Sequence, residues 1–236
     1  MKRVIASLAL AIMFALVGSA RADVLLTWLE DGRGDLGVSR SFTQSGFTVT
    51  ATAYQGGGVN QSGYGNLTGT WSASSGSASD LYAKNGAGTG NSGETGLGLT
   101  SDKSGDHEIT YGYGILLDFT KVKVDQPFTI SFGSVQSSSG DKAGVYDLAT
   151  GKLFGTIDAG KLASVTIGPG ATGSKYLVTE VAKPQNGDPN PNILLGAIGL
   201  SAIEQQVIPE PSNLAIWAVG ALACIGCGLH RRWSKA

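Results

Sequence analysis

Between residues 23 and 207 there is no cysteine; the chain's two, Cys224 and Cys227, both fall in an apolar stretch near the C-terminus. A domain built from 23–207 therefore has neither disulfides nor thiol chemistry. In an oxidising exterior it must rely on packing, with or without a bound ion. Cys-x-x-Cys invites a metal or redox reading, but two thiols in hydrocarbon cannot close a zinc shell, and they read as small apolar side chains on one helix face. Charge is scarce as well. Only 15% of residues are charged and the net charge is −1, so no basic stripe is available to neutralise phosphates and nucleic acid is excluded as a partner. The central region holds one histidine, His107, and no Gly-x-Ser-x-Gly elbow to go with it. Its glycines lack the Gly-Lys-Ser/Thr ending of a phosphate loop. Helical periodicity is missing from the same region beyond a single turn near 158–163.

What is present begins at the two ends. Lys2 and Arg3 precede an apolar run over 4–17 and a small-residue stretch over 18–22. That is the tripartite layout of a secretory signal peptide, too short to span a membrane. Ala20 and Ala22 supply the small side chains that signal peptidase accepts, so the expectation is a signal peptide over 1–22 and Asp23 as the new N-terminus. At the other end Pro209, Glu210 and Pro211 precede an apolar stretch over 214–229, followed by Arg231 and Arg232. Such a stretch satisfies its backbone in lipid only as a helix, which predicts a transmembrane helix at about 213–229 with a basic cytoplasmic tail. The prolines lack an N–H and fix φ, keeping the preceding stretch extended and open to a processing enzyme. Order, spacing and terminal position together resemble the PEP-CTERM sorting signal. The resemblance covers 208–236 and implies an exosortase-type membrane protease cutting close to Pro209–Pro211, with transfer of the ectodomain to the cell surface or its release. An ordinary membrane anchor with a chance Pro-Glu-Pro is the plainer alternative.

The region 23–207 is long enough for one substantial core. The full chain has 36 glycines, and the region's abundance of Gly, Ser and Thr is unlike a helical enzyme. The dominant period is two: Phe47, Val49, Ala51 and Ala53 alternate with Thr48, Thr50 and Thr52, and Phe128, Ile130 and Phe132 with Thr129 and Ser131. Further strands are expected over 24–29, 68–72, 115–119, 144–148, 152–157, 164–167, 176–181 and 193–202, with a hairpin turn at Ala149-Thr150-Gly151. Short strands between Gly- and Ser-rich turns point to an all-β ectodomain, a β-sandwich or jelly roll. The Gly/Ser/Asn-rich stretch 55–104 reads either as a mobile insertion or as short strands with covered edges, contributing little core. Gly96-Leu97-Gly98-Leu99, Asp106-His107-Glu108-Ile109, Leu116-Leu117-Asp118-Phe119 and Gly133-Ser134-Val135-Gln136 are similar to a β-domain that recurs with this sorting signal. That similarity implies the fold and carries no catalytic residue.

Candidate chemistry is sparse. Asp102, Asp106 and Glu108 put three hard oxygen ligands in one short loop, a candidate Ca2+ site; a solvated acidic turn beside Lys103 is the alternative. Asp188-Pro189-Asn190-Pro191-Asn192 is a second, weaker candidate, or simply a rigid loop. Tyr111 and Tyr113, one glycine apart, would face the same way on a strand and either stack on sugar rings or fill a core. Tyr54, Tyr64, Trp71 and Tyr82 are further ring candidates, whereas Trp28 reads as core. Glu30 with Asp31, or Asp106 with Glu108, could serve a glycoside hydrolase if held about 5–10 Å apart. The expectation is a non-enzymatic surface or matrix protein associated with exopolysaccharide. The alternatives are a glycan-active hydrolase and a calcium-dependent carbohydrate-binding module.

Overall fold

The computed structural model describes residues 24–28, 34–75, 79–86, 94–101, 105–120, 127–136, 140–158, 164–168, 174–184 and 191–200. The expected signal peptide, the one-turn helix, the acidic loop at 188–190 and the sorting signal with its helix lie outside them, apart from Asp158 at the helix's start and Pro191-Asn192 at the loop's end. Among the described residues there are fifteen strands and no helix. They are β1 (Val24–Thr27), β2 (Gly34–Gly37), β3 (Ser39–Gln44), β4 (Phe47–Gln55), β5 (Ser72–Ala73), β6 (Leu81–Asn85), β7 (Thr95–Leu99) and β8 (Ile109–Thr110). β9 (Tyr113–Asp118), β10 (Phe128–Val135), β11 (Lys142–Asp147), β12 (Leu153–Asp158), β13 (Ser164–Ile167), β14 (Lys175–Glu180) and β15 (Asn192–Leu200) complete the set.

The strands form two antiparallel sheets, one of eight strands in the order β13-β10-β15-β7-β6-β2, with β1 and β8 also on β15. The other has seven in the order β12-β11-β14-β9-β4-β3, with β5 on β4. One apolar cluster draws on both sheets: Leu26, Leu97, Phe128, Ile130, Leu195 and Ile198 from the first, Val49, Ala51, Ile115, Leu117, Val145 and Val178 from the second. Each of these side chains larger than alanine contributes about 1.5–3 kcal/mol by leaving water. The result is β-sandwich-like. Alternation in β4 and β10 predicts their inward residues correctly, and Trp28 is buried in the same cluster with its ring edge-on to Phe42 at 4.9 Å.

β15 shows how a break in the period is built. Its inward residues are Ile193 and Leu195, then Ile198 and Leu200, a change of phase that plain alternation forbids. Pairing with β10 skips Gly196, because Leu195 faces Phe132 while Ala197 faces Ser131. A bulge at Gly196 re-aims the rest of the strand. A Cβ there would lie 3.0 Å from the Gly133 nitrogen, so only glycine fits without movement.

The described residues of the stretch 55–104 serve both sheets. The part around 56–71 lies over the outer face of the seven-stranded sheet, where Val59 joins Tyr146, Leu177 and Val181 in a second buried cluster. Tyr54, Tyr64, Leu67, Trp71, Leu148 and Leu153 pack around it. Backbone bonds tie the layer down, with Leu67 N–H donating to Gly151 O and Leu153 N–H to Gly65 O. The Tyr146 hydroxyl donates to Tyr64 O at 2.8 Å, and Gln61 reaches Val181 O. In place of the expected strand over 68–72 there are the isolated bridges Val59–Leu67 and Asn66–Lys152 and the two-residue β5. The other part of the stretch supplies β6 and β7 to the eight-stranded sheet. So this region carries core on two faces, contrary to its composition.

Candidate functional site

β6 and β7 pair with Lys84 opposite Gly96 and Tyr82 opposite Gly98. Leu97 and Leu99 point into the main core, so by the two-residue period the glycines point outward. Two missing side chains leave a shallow trough on the outer face. The segment Gly105-Asp106-His107-Glu108 lies across it so closely that a Cβ on Gly98 would strike the His107 carbonyl oxygen. His107 adopts φ 58°, a left-handed conformation that histidine enters more readily than branched residues. Its ring stacks on Tyr82 with centroids 3.9 Å apart. Instead of a solvated turn, this histidine is part of a cover.

Beneath the cover lies the most unusual group of side chains in the described domain. Lys84 is fully buried, its Nζ donating to Glu108 Oε1 at 3.0 Å and to Glu94 Oε2 at 2.9 Å. Glu108 is 2% exposed and Glu94 17%. Gln136 donates to the other Glu94 oxygen at 3.2 Å. Bonded to the same ammonium, the two carboxyl groups lie close enough for each to shift the other's titration. Burial alone would lower the Lys84 pKa, but its bonds to Glu94 and Glu108 outweigh this and hold it above the ordinary lysine value. Burial, reinforced by the Glu94 carboxylate, pushes Glu108 up to about 8. Burial works the same way on Glu94, yet hydrogen bonds with Glu108, Lys84 and Ser134 bring it down to about 2. At neutral pH the trio is thus one ammonium, one carboxylate and one carboxylic acid, neutral as a set. That is the state a low-dielectric site accepts at least cost.

This arrangement reassigns Glu108. As a calcium ligand it would bring the cation against the Lys84 ammonium, 3.0 Å from its oxygen, and like charges at that range repel strongly. Among the described residues no group of three His, Cys, Asp or Glu side chains is placed to hold a metal. Asp106 is half-buried in the cover, and Asp102 lies outside the described residues. Glu94 and Glu108 do not suit glycoside hydrolysis either, because the Lys84 ammonium bonded to both fills the space between them that a sugar carbon or water would need. Glu30 and Asp31 lie outside the described residues.

Tyr111 and Tyr113 do not share a face. Tyr111 sits in the turn between β8 and β9, where Gly112 has φ 86°, and only Tyr113 is in the strand. Tyr113 packs against the main core. The Tyr111 ring instead lies over Gly58, whose missing side chain makes room for it. Over the seven-stranded sheet, Trp71 donates from Nε1 to Gly58 O at 3.3 Å and rests on Gly56. Tyr64 carries Lys142 Nζ 4.6 Å from its ring centre, a cation–π contact, and Lys142 also reaches Asp158 at 2.7 Å.

A second polar surface went unread in the sequence. On β3 and β4 the outward residues form cross-strand hydroxyl pairs: Ser39 with Thr52 at 2.9 Å, Ser41 with Thr50 at 2.8 Å, and Thr43 with Thr48 at 2.8 Å. All three pairs are solvent-exposed. Tyr54 continues the same row of β4 and is half-buried. The signal was available in the sequence, since Ser39-x-Ser41-x-Thr43 and Thr48-x-Thr50-x-Thr52 flank the Ser45-Gly46 turn.

A third polar group is closed. Glu180 is buried and accepts from the backbone N–H groups of Lys142 and Ala182. Burial, with Asp141 nearby, overrides those bonds and pushes Glu180 up to about 9. Asp141, also buried, accepts from the Gln136 and Asn192 N–H groups. Carboxyls ringed by N–H donors tie loops together and offer a cation no open side.

No protein family, curated protein or solved structure matches the chain.

Proposed function

We propose that the chain is exported, held at the membrane by its C-terminal segment, cut near Pro209–Pro211 by an exosortase-type protease and left at the cell surface or in the matrix. There its β-domain associates with exopolysaccharide and performs no chemistry on it. The trafficking half of this reading rests on the sequence: the signal-peptide layout ending at Ala20 and Ala22, and Pro209, Glu210 and Pro211 placed before an apolar stretch and Arg231-Arg232. The ligand half rests on one observation, the paired hydroxyl rows of β3 and β4 running up to Tyr54. A flat surface of neutral donors and acceptors ending in a ring suits a neutral polysaccharide, whose hydroxyls exchange hydrogen bonds and whose ring faces stack on aromatics.

Two measurements test it. Mass analysis of the mature protein from its own cell should find a C-terminus near Glu210, and an intact C-terminus would leave an ordinary anchor instead. Co-sedimentation with the cell's exopolysaccharide should be saturable, without new reducing ends. It should weaken about tenfold, ~1.4 kcal/mol, when Ser41→Ala, Thr50→Ala and Tyr54→Ala are combined. Unchanged binding in that variant would remove the hydroxyl rows from the proposal, and release of reducing ends would replace it with a hydrolase.

A further inference from the structure

We propose that Lys84 and Glu108 condense to an intramolecular amide, with Glu94 carrying the proton, so that a covalent bridge ties β6 to the segment entering β8. Four observations carry this. The amine nitrogen lies within 3.0 Å of a Glu108 oxygen and 2.9 Å of a Glu94 oxygen. Groups held at such distances react as if at very high effective concentration. Lys84 and Glu108 are buried, so the water that would compete with an amine for the acyl carbon is kept out. Gly98, opposite Tyr82 on β7, lets the backbone of His107 and Glu108 settle onto the sheet, where a Cβ would collide with it, and so brings Glu108 down to Lys84. Finally, Gln136 holds the Glu94 oxygen that does not face Lys84, orienting the carboxylate toward the amine.

The chemistry balances without an outside reagent. The Lys84 ammonium passes one proton to the Glu94 carboxylate and frees the amine lone pair, an uphill transfer between these two groups that makes the condensation slow. That pair attacks the acyl carbon of Glu108, which keeps its proton because burial disfavours its anion. As the C–N bond forms, the nitrogen sheds a second proton. The C–O bond to the departing hydroxyl breaks, and the hydroxyl leaves as water on taking that proton. The products are a neutral amide, one water and a protonated Glu94. An ammonium, a carboxylate and an acid thus become two uncharged groups, which a low-dielectric site favours. Such a bond does in this cysteine-free region what a disulfide does elsewhere: it closes a loop between residues 24 apart and limits the freedom of the unfolded chain.

The experiment is peptide mapping by mass spectrometry of the full chain purified from the exporting cell. We expect a branched tryptic peptide joining Lys84 to Glu108, lighter than its two parts by one water, with no cleavage after Lys84. Free cleavage after Lys84 together with an unmodified Glu108 peptide would overturn the proposal, as would a branch to Glu94 in place of Glu108. Lys84→Arg should contain no branch. Glu94→Gln, shown to be folded by an unchanged far-ultraviolet circular dichroism spectrum, should cross-link at least tenfold more slowly. A wild-type rate in that variant would remove Glu94 as the proton carrier. Wild-type mapping decides the central point even if a variant fails to fold.

Discussion

Substituting Gly98→Ala tests the stacking of the 105–108 segment on β7 more directly than any other single change. The added methyl would fall on the His107 carbonyl oxygen, with the carbonyl carbon at 2.9 Å and the Glu108 Cα at 3.2 Å. Backbone atoms cannot rotate away as a side-chain tip can, so the segment must withdraw by roughly 1 Å or more to reach van der Waals separation. Overpacking of this kind costs about 1–3 kcal/mol. In protein whose Lys84 and Glu108 have not condensed, withdrawal also stretches their contact, a hydrogen bond to a charged group whose loss is about 1.5–3 kcal/mol. With partial relaxation the sum is about 3 kcal/mol. For a domain of this size each kcal/mol moves the thermal midpoint by about 2–4 °C, which gives a drop of about 6–12 °C. Gly65→Ala is the control, because a Cβ there meets nothing within 4 Å and should change stability by about 0.5 kcal/mol or less. Urea unfolding followed by tryptophan fluorescence measures both. If Gly98→Ala unfolds within about 0.5 kcal/mol of the wild type, the segment does not lie on β7 and the burial of Lys84 is misassigned.

Glu180 sets a pH dependence. Its folded pKa stands at about 9 against an ordinary 4.5, so the folded state holds a proton that the unfolded state has released. The stability it contributes is complete below pH 4.5 and is lost as pH rises through about 9. Glu180→Gln should flatten that decline in urea titrations at several pH values, and an unaltered slope would show that Glu180 is ionised when folded. Tyr146→Phe removes the donor to Tyr64 O and should cost about 1–2 kcal/mol in the same assay; no loss would mean that the 56–71 layer is not anchored there. Leu195→Ala, at a core position, should cost about 2–5 kcal/mol by opening a cavity between the sheets, and a cost under about 1 kcal/mol would contradict its placement. Because Lys84 occupies Glu108, saturating calcium or a chelator should leave the thermal midpoint where it was. An upward shift with calcium would show a site elsewhere in the chain, since any ligand that prefers the native state stabilises it.

Much of the fold was legible from local pattern. In β4 and β10 apolar side chains alternate with Thr and Ser, and each strand's own pleat sends them to opposite faces. The turn at Gly151 likewise carries its own cause, a glycine at φ 71°. β3 and β6 were harder to see. β3 has one inward aromatic, Phe42, among polar residues, and β6 puts Lys84 where alternation expects water. β7 was visible as a motif, with glycines at alternate positions, but not as a strand whose outer face would be covered. The candidate site was half legible for the same reason. Glu108 stood out as a carboxylate, while its partners Lys84 and Glu94 lie more than ten residues away and share no spacing rule with it.

Sequence alone determined the all-β character of the described residues, the inward rows of β4 and β10, and the absence of disulfides between 23 and 207. Those properties follow from composition and from a two-residue period, which are local. Tertiary structure alone decided which outward faces are buried. It laid 56–71 over one sheet and 105–108 over the other, flipped the phase of β15 at Gly196, and separated Tyr111 from Tyr113 by a left-handed glycine. It also enclosed a lysine with two glutamates. Whether an outward polar residue meets water or another segment depends on distant parts of the chain, and period carries no record of them.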